Sequence, residues 1–340
     1  MLLLLILAFL LSLSIGVYDI PVSDLLNYVV GYAALDSYAE NILLNLRLPR
    51  SAMAMIAGGV LSISGTSLQG LFRNPLADPA LIGASGGAAL GAIFSIVILG
   101  GAGLLAADIG YQSDILYHLK RWSLTLSAFI GALIAIWVTY KLATKGSVTN
   151  ISTLLLAGIA IQAITAAGSG ILVSLSNDQE LRSITFWSLG SVSYVGWADI
   201  GVGVVLGLIP ALYLIRYGSE LNILSLGEKD AYYSGLDVQS IKKSVIILVA
   251  LSVSCVTSLT GIIAFAGIIG PHLTRLVFGY DHQRLLPLSL IMGATVVLLA
   301  DIFSRLVIPP AEIPIGILTT AIGGPFFLIL LLGLRKRGKI

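Results

Sequence analysis

The chain has 340 residues, 57% of them hydrophobic and 11% charged, with a mean hydropathy of +0.99 and a formal net charge of +2. Soluble domains carry about a quarter charged residues, so the composition excludes one and predicts an integral membrane protein, all-α and read as a single domain over 1–340. One cysteine, Cys255, excludes a disulfide framework and a cysteine-based metal site.

A membrane-crossing helix needs ~20 apolar residues, with ~17 to 25 seen in practice. On that rule spans are expected near 1–17, 51–71, 80–104, 122–141, 151–174, 198–215, 244–259, 262–279, 285–307 and 313–334, which makes ten. The first, MLLLLILAFLLSLSIG, is expected to be retained, because it has neither the basic start nor the small-residue cleavage site of a signal peptide. After the second, Pro75 and Pro79 fix their own φ and disfavour helix before them, so a sharp turn is expected. Small residues crowd several spans, as in Ala57-Gly58-Gly59, Gly83-Ala84-Ser85-Gly86-Gly87 and Gly323-Gly324-Pro325. They let helices approach closely or leave room for something bulky to pass, and close packing is the favoured reading.

Between the sixth and seventh spans lies a polar island, LNILSLGEKDAYYSGLDVQSIKK, 221–243. Its apolar positions Leu221, Leu224, Leu226, Ala231, Tyr232 and Leu236 fall on one narrow helical face, with Glu228, Lys229 and Asp230 on the other. Gly227 breaks the pattern and Gly235 stops it, so two short surface helices are expected. They are either a solvated loop resting on the membrane or a knob gripped by another protein, and the pattern alone supports both.

The run 244–279 fits one long tilted helix or two short ones joined at Thr260-Gly261. Two are expected, because one would strand a basic cluster outside. With ten spans, thirteen basic residues (among them Arg73, Lys145, Lys229, Lys242, Lys243, Arg275 and the tail 335–339) fall on one side and six on the other, namely Arg47, Arg50, Lys120, Arg121, Arg182 and Arg305. The richer side is read as cytoplasmic, with both termini there. The span centres hold no ionisable group by these boundaries, so an ion-coupled carrier lacks its relay. A membrane enzyme would lack a convergent catalytic set. The tail GLRKRGKI imitates part of a phosphate loop but ends in Ile340 where Ser or Thr would hold magnesium, so no ATPase is read there. His272 is read as structural, and His118 and His282 as loop residues.

The island resembles the coupling segment of permease subunits of the ABC importers for vitamin B12, haem and ferric siderophores. Four further stretches resemble that family in the same order: 47–92 (with NPLADP), 152–160 (STLLLAGIA), 261–287 (with GIIGPHLTR) and 311–327 (AEIPIGILTTAIGGPFF). The resemblance implies about ten helices per subunit and a homodimer with its pathway on the two-fold axis. It implies two cytoplasmic ATPase subunits, which would hold ATP and Mg, and an external substrate-binding protein; no cofactor is expected on this chain.

By the same resemblance, Leu221, Leu224, Leu226, Gly227, Glu228, Ala231, Gly235 and Leu236, in a segment of about 221–237, fit a groove on the ATPase. Arg47, Arg50 and Arg305 dock the binding protein through its glutamates, although on physics alone anchoring of lipid headgroups is the favoured reading. Gly83, Ser85, Gly86 and Gly87, with Asn150, Ser152 and Thr153 at the inner mouth, are expected along the pathway; Ser and Thr in helices otherwise bond their own backbone. The stretch 181–193 is closer to haem permeases than to corrinoid ones, and Arg182 there suits a haem propionate or a helix-anchoring role. Haem or another iron chelate is the expected cargo, with cobalamin or a ferric siderophore as alternatives. The expected location is the bacterial inner membrane.

Overall fold

The computed structural model describes residues 1–32, 34–100, 114–309 and 311–336. The end of the span expected over 80–104 and the tail residues Arg337, Gly338, Lys339 and Ile340 lie outside the described residues. In chain order, α1 (Leu2–Ser14) and α2 (Val22–Val30) lead into a long helix, α3 (Ser37–Phe72). A 3₁₀ turn, Pro79–Ile82, precedes α4 (Ala84–Leu99) and α5 (Asp114–Ala143). A small antiparallel hairpin, β1 (Thr144–Lys145) with β2 (Val148–Thr149), pairs Thr144 with Thr149. Then come α6 (Ile151–Ser174), α7 (Asp178–Ser188), a helical rod over 197–217 (α8), α9 (Gly218–Leu226) and α10 (Glu228–Tyr233). The chain finishes with α11 (Val238–Thr260), α12 (Ala266–Phe278), α13 (His282–Leu306) and α14 (Ile315–Lys336).

Each expected span overlaps a helix among the described residues. Six helical runs are long and apolar enough to cross a membrane on their own: Ser37–Phe72, Trp122–Ala143, Ile151–Ser174, Trp197–Leu226, Val238–Thr260 and His282–Leu306. Leu2–Ser14, Ala84–Leu99 and Ile315–Ile329 are apolar but shorter. The eighth expected span is shortened. Helix α11 stops at Thr260, residues 261–265 are unwound, and α12 has 13 residues, about 20 Å at 1.5 Å per residue. Unwound backbone at such a depth survives only where the protein covers it; here the Thr260 carbonyl accepts from Ser191 N–H at 2.7 Å. His118 lies in α5 and His282 opens α13, so neither is a loop residue as expected.

Helix α3 is the pillar, with 89% of its most apolar window buried. It runs antiparallel to α13, and the two meet at Gly58 and Gly293, where a Cβ on either would strike the other's carbonyl oxygen. Close packing is thus what these small residues serve. Prolines 49 and 210 each follow a π-helical stretch, Ile42–Arg47 and Gly203–Leu208. Proline lacks an N–H and crowds the carbonyl one turn back, and a widened turn relieves both conflicts. At the other extreme only 17% of the corresponding window of α6 is buried, and Leu156, Ile159, Ile164 and Ile171 face outward.

Candidate functional site

The α3–α13 pair has two unlike ends. At the end bearing Phe72 and His282, α9 and α10 form a knob, hinged at Gly227, whose φ of 146° is closed to most side chains. Leu221, Leu224 and Ala231 are at most 2% exposed, and Leu236 packs on the same core. Leu221, Leu224 and Ala231 thus anchor the knob inward, with Leu236 partly buried beside them. What faces out is Leu226, 72% exposed, with Tyr232 and Tyr233, 72% and 83% exposed, their rings edge to face at 6.0 Å. Lys229 and Asp230 are exposed beside them, and Gly235 (φ 87°) ends α10 by donating to the Tyr232 carbonyl at 3.0 Å.

Polar ties fix this knob to the helices behind it. The Asn222 amide donates to Asp281 Oδ1 at 2.7 Å, while its oxygen accepts from the His282 backbone N–H at 2.8 Å and lies 2.9 Å from His282 Nδ1. The Asn222 amide, then the Gln283 N–H and nearby Arg284, hold the Asp281 carboxyl below the usual carboxylate range. Glu228 is not on a free face as expected: its Oε2 pairs with Lys242 Nζ at 2.7 Å. Lys242, 1% exposed, also donates to the Thr149 carbonyl at 2.9 Å, and Gln239 accepts from the Thr149 N–H at 2.9 Å. One residue on, Asn150 caps α6 by accepting from Thr153 N–H at 3.0 Å, so Asn150 and Thr153 serve the helix start while Ser152 is exposed next to them.

At the opposite end the three docking candidates are turned inward. Arg50 donates to Asp301 Oδ1 at 2.9 Å and to both oxygens of Glu312 at 2.8 and 2.9 Å, and Ser193 Oγ donates to Glu312 at 2.7 Å. Arg305 pairs with Asp301 Oδ2 at 2.9 Å and donates to the Ser12 and Ile15 carbonyls, both at 3.0 Å. Arg47 donates to the Leu13 and Ser14 carbonyls at 2.7 and 2.8 Å and to the Tyr18 carbonyl. Arg47 and Arg305 therefore cap the C-terminus of α1, where four carbonyls lack helical partners and the dipole favours cations. All three residues are under 10% exposed. Arg47, Arg50 and Arg305, expected to dock an external protein, thus place these donors on partners within the fold while lining the cavity that opens at this end.

Burial alone would raise the Glu312 carboxyl, but its hydrogen bonds to Arg50 and Ser193 hold it below the usual range. Asp301, fully buried, and Glu312 went unnoticed in the sequence, although a lone aspartate four residues before Arg305 inside an apolar run was a readable signal. A cavity of about 910 Å³ opens here, lined by Tyr18, Tyr38, Arg47, Trp187, Ser193 and Glu312 among others. Arg182 is exposed on α7, whose start is held by a capping box of Asn177 and Glu180.

The pathway candidates on α4 pack against α5, α6 and the segment before α12. Gly83 and Gly87 are buried, and a Cβ on Gly87 would strike the Gly131 carbonyl of α5. Gly86 abuts Thr165 of α6, and Ser85 lines a cavity of about 270 Å³ beside Asp78 and Phe265.

Comparison with known proteins places these features in context. Residues 4–333 match the FecCD transport family. The chain is 38% identical over 297 residues, 87% of it and 85% of the relative, to the hemin transport system permease protein HmuU of Yersinia pestis. It is 37% identical over 293 residues, 86% of it and 74% of the relative, to the cobalamin import system permease protein BtuC of Halobacterium salinarum. A solved structure described as an inward-facing conformation of a metal-chelate type ABC transporter superposes with a TM-score of 0.83 at 31% identity, covering 98% of this chain and 97% of that one.

Proposed function

The chain belongs to the FecCD transport family and is the permease of a type II ATP-driven importer, and from that premise we propose that it carries haem or another iron chelate from an external binding protein into the cytoplasm. It works as a homodimer, with about ten crossings per subunit and the pathway on the two-fold axis. Two ATPase subunits, holding ATP and Mg, seat on α9–α10. The termini lie in the cytoplasm of a bacterial inner membrane.

The observation that carries this reading is the knob: an exposed Leu226–Tyr232–Tyr233 surface mounted on residues buried to 2% or less. Tyrosines on a rigid base are what a protein partner uses as anchors. A loop merely resting in water would have no use for so deep an anchorage. The outward apolar row on α6 supports the dimer, and Arg182, exposed on α7, supports a carboxylated cargo. Because the relatives include a cobalamin permease as well as a hemin permease, import of a corrinoid is the second reading.

The test is reconstitution in vesicles with the cognate ATPase and binding protein. ATP-dependent accumulation of hemin, with a Soret band when the binding protein is mixed with hemin, is the expected result. Accumulation of cobalamin alone would move the assignment to the second reading, and accumulation without the ATPase would overturn both.

A further inference from the structure

Among the described residues Lys242 is the largest side chain that the fold buries almost completely, and its ammonium joins three separate parts of the molecule. Its stem belongs to the first turns of α11, its Nζ holds Glu228 at the start of α10 at 2.7 Å, and the same Nζ holds the Thr149 carbonyl at 2.9 Å, immediately before α6. A buried ammonium is costly to keep, and a lysine at a membrane face commonly extends its head to water. This one does not. The Thr149 peptide is gripped from both sides, its carbonyl by Lys242 and its N–H by Gln239, one turn earlier on α11.

Glu228, by contrast, is over a third exposed and sits next to the outward surface of the knob. A force applied to α10 reaches the hairpin and the start of α6 through two short charge-assisted bonds and one lysine stem. We infer that Lys242 is a positioning residue that transmits displacement of α10 to the β1–β2 hairpin and the N-terminus of α6. Its partners are Glu228 on the driven side and Thr149 on the responding side. The inference deepens the proposed function, since it rests on α9–α10 being the ATPase contact.

A structural role and a transmitting role differ in what a variant does to coupling. In the assembled complex, Lys242→Met keeps the stem and removes both bonds. The expected outcome is ATP hydrolysis within about twofold of the parent and uptake per ATP lowered about tenfold, the usual size of an allosteric coupling. Lys242→Arg, which retains the charge and donors, is expected to restore most of it. Spin labels at Lys229→Cys on the knob and at Val148→Cys on the hairpin, both exposed positions, separate the two sides. In the parent both spectra change with ATP; in Lys242→Met the label at 229 still responds and the label at 148 does not.

A hairpin label that responds to ATP in Lys242→Met as it does in the parent overturns the inference. A label at 229 that ignores ATP in the parent overturns the ATPase contact instead, so the two failures are distinguishable. Should Lys242→Met fail to accumulate, Glu228→Gln decides, because it weakens the same tie from its exposed side. Unchanged uptake per ATP in Glu228→Gln then rejects the relay.

Discussion

The two ends of the α3–α13 pair spend charge in opposite ways. At the arginine end, Arg50, Arg305 and Asp301 turn inward and Glu312 closes the cluster, so ion pairs tie α3, α13 and the following loop, and an arginine–carbonyl hydrogen bond adds α1 to the block. At the knob end the charges Lys229 and Asp230 face out beside two tyrosines, and the anchorage underneath is made by Leu221, Leu224 and Ala231. The difference teaches that a charge flanking an apolar span marks a side of the membrane but not a direction. Where helix C-termini and carboxylates are within reach, the charge is used inside.

The sharpest way to break the comparison is Asp301→Ala, which removes the buried carboxylate shared by Arg50 and Arg305 and leaves Arg50 with Glu312 and Arg305 with carbonyls alone. Loss of one partner from a buried pair costs about 3–5 kcal/mol, so thermal unfolding in detergent should shift markedly downward; an unchanged transition would mean the cluster holds nothing together. At the other end, the double variant Tyr232→Ala and Tyr233→Ala should leave unfolding unchanged while weakening ATPase association about tenfold or more, at roughly 1–2 kcal/mol per exposed anchor. Equal affinity in a pull-down titration would show the partner sits elsewhere. Asn222→Ala removes the hydrogen bonds to Asp281 and His282 and should cost about 1–2 kcal/mol, read as a modest drop in unfolding temperature.

The smallest effect is a pH dependence at the arginine end. Glu312 has a carboxyl pKa below its unfolded value. Its contribution is therefore fully present above the unfolded carboxylate pKa, about 4.3, and is lost as pH falls through the lower folded value. The stability gap between the parent and Glu312→Gln should be constant from pH 7 to about 5 and close below about pH 4. A gap that widens on acidification contradicts the pairing with Arg50.

Much of the fold was legible because hydrophobic length is a one-dimensional property. The turn at Pro75 and Pro79, the break after Thr260, and the paired short helices on either side of Gly227 all follow from local chemistry. The site was less legible. Leu221 and Leu226 look alike in the helical pattern, yet one is wholly buried and the other largely exposed, because the scaffold covers only part of the stripe. Lys242 counted as a basic marker of a membrane face, and its burial depends on Thr149, ninety-three residues away in sequence. Asp301 and Arg50, 251 residues apart, pair for the same kind of reason.

What the sequence determined by itself was the solvent of this protein: its apolar runs, their turns and the polar island follow from the cost of placing peptide and charge in hydrocarbon. Tertiary structure alone decided which charges look inward, since that depends on which distant carbonyl or carboxylate a folded helix brings within about 3 Å.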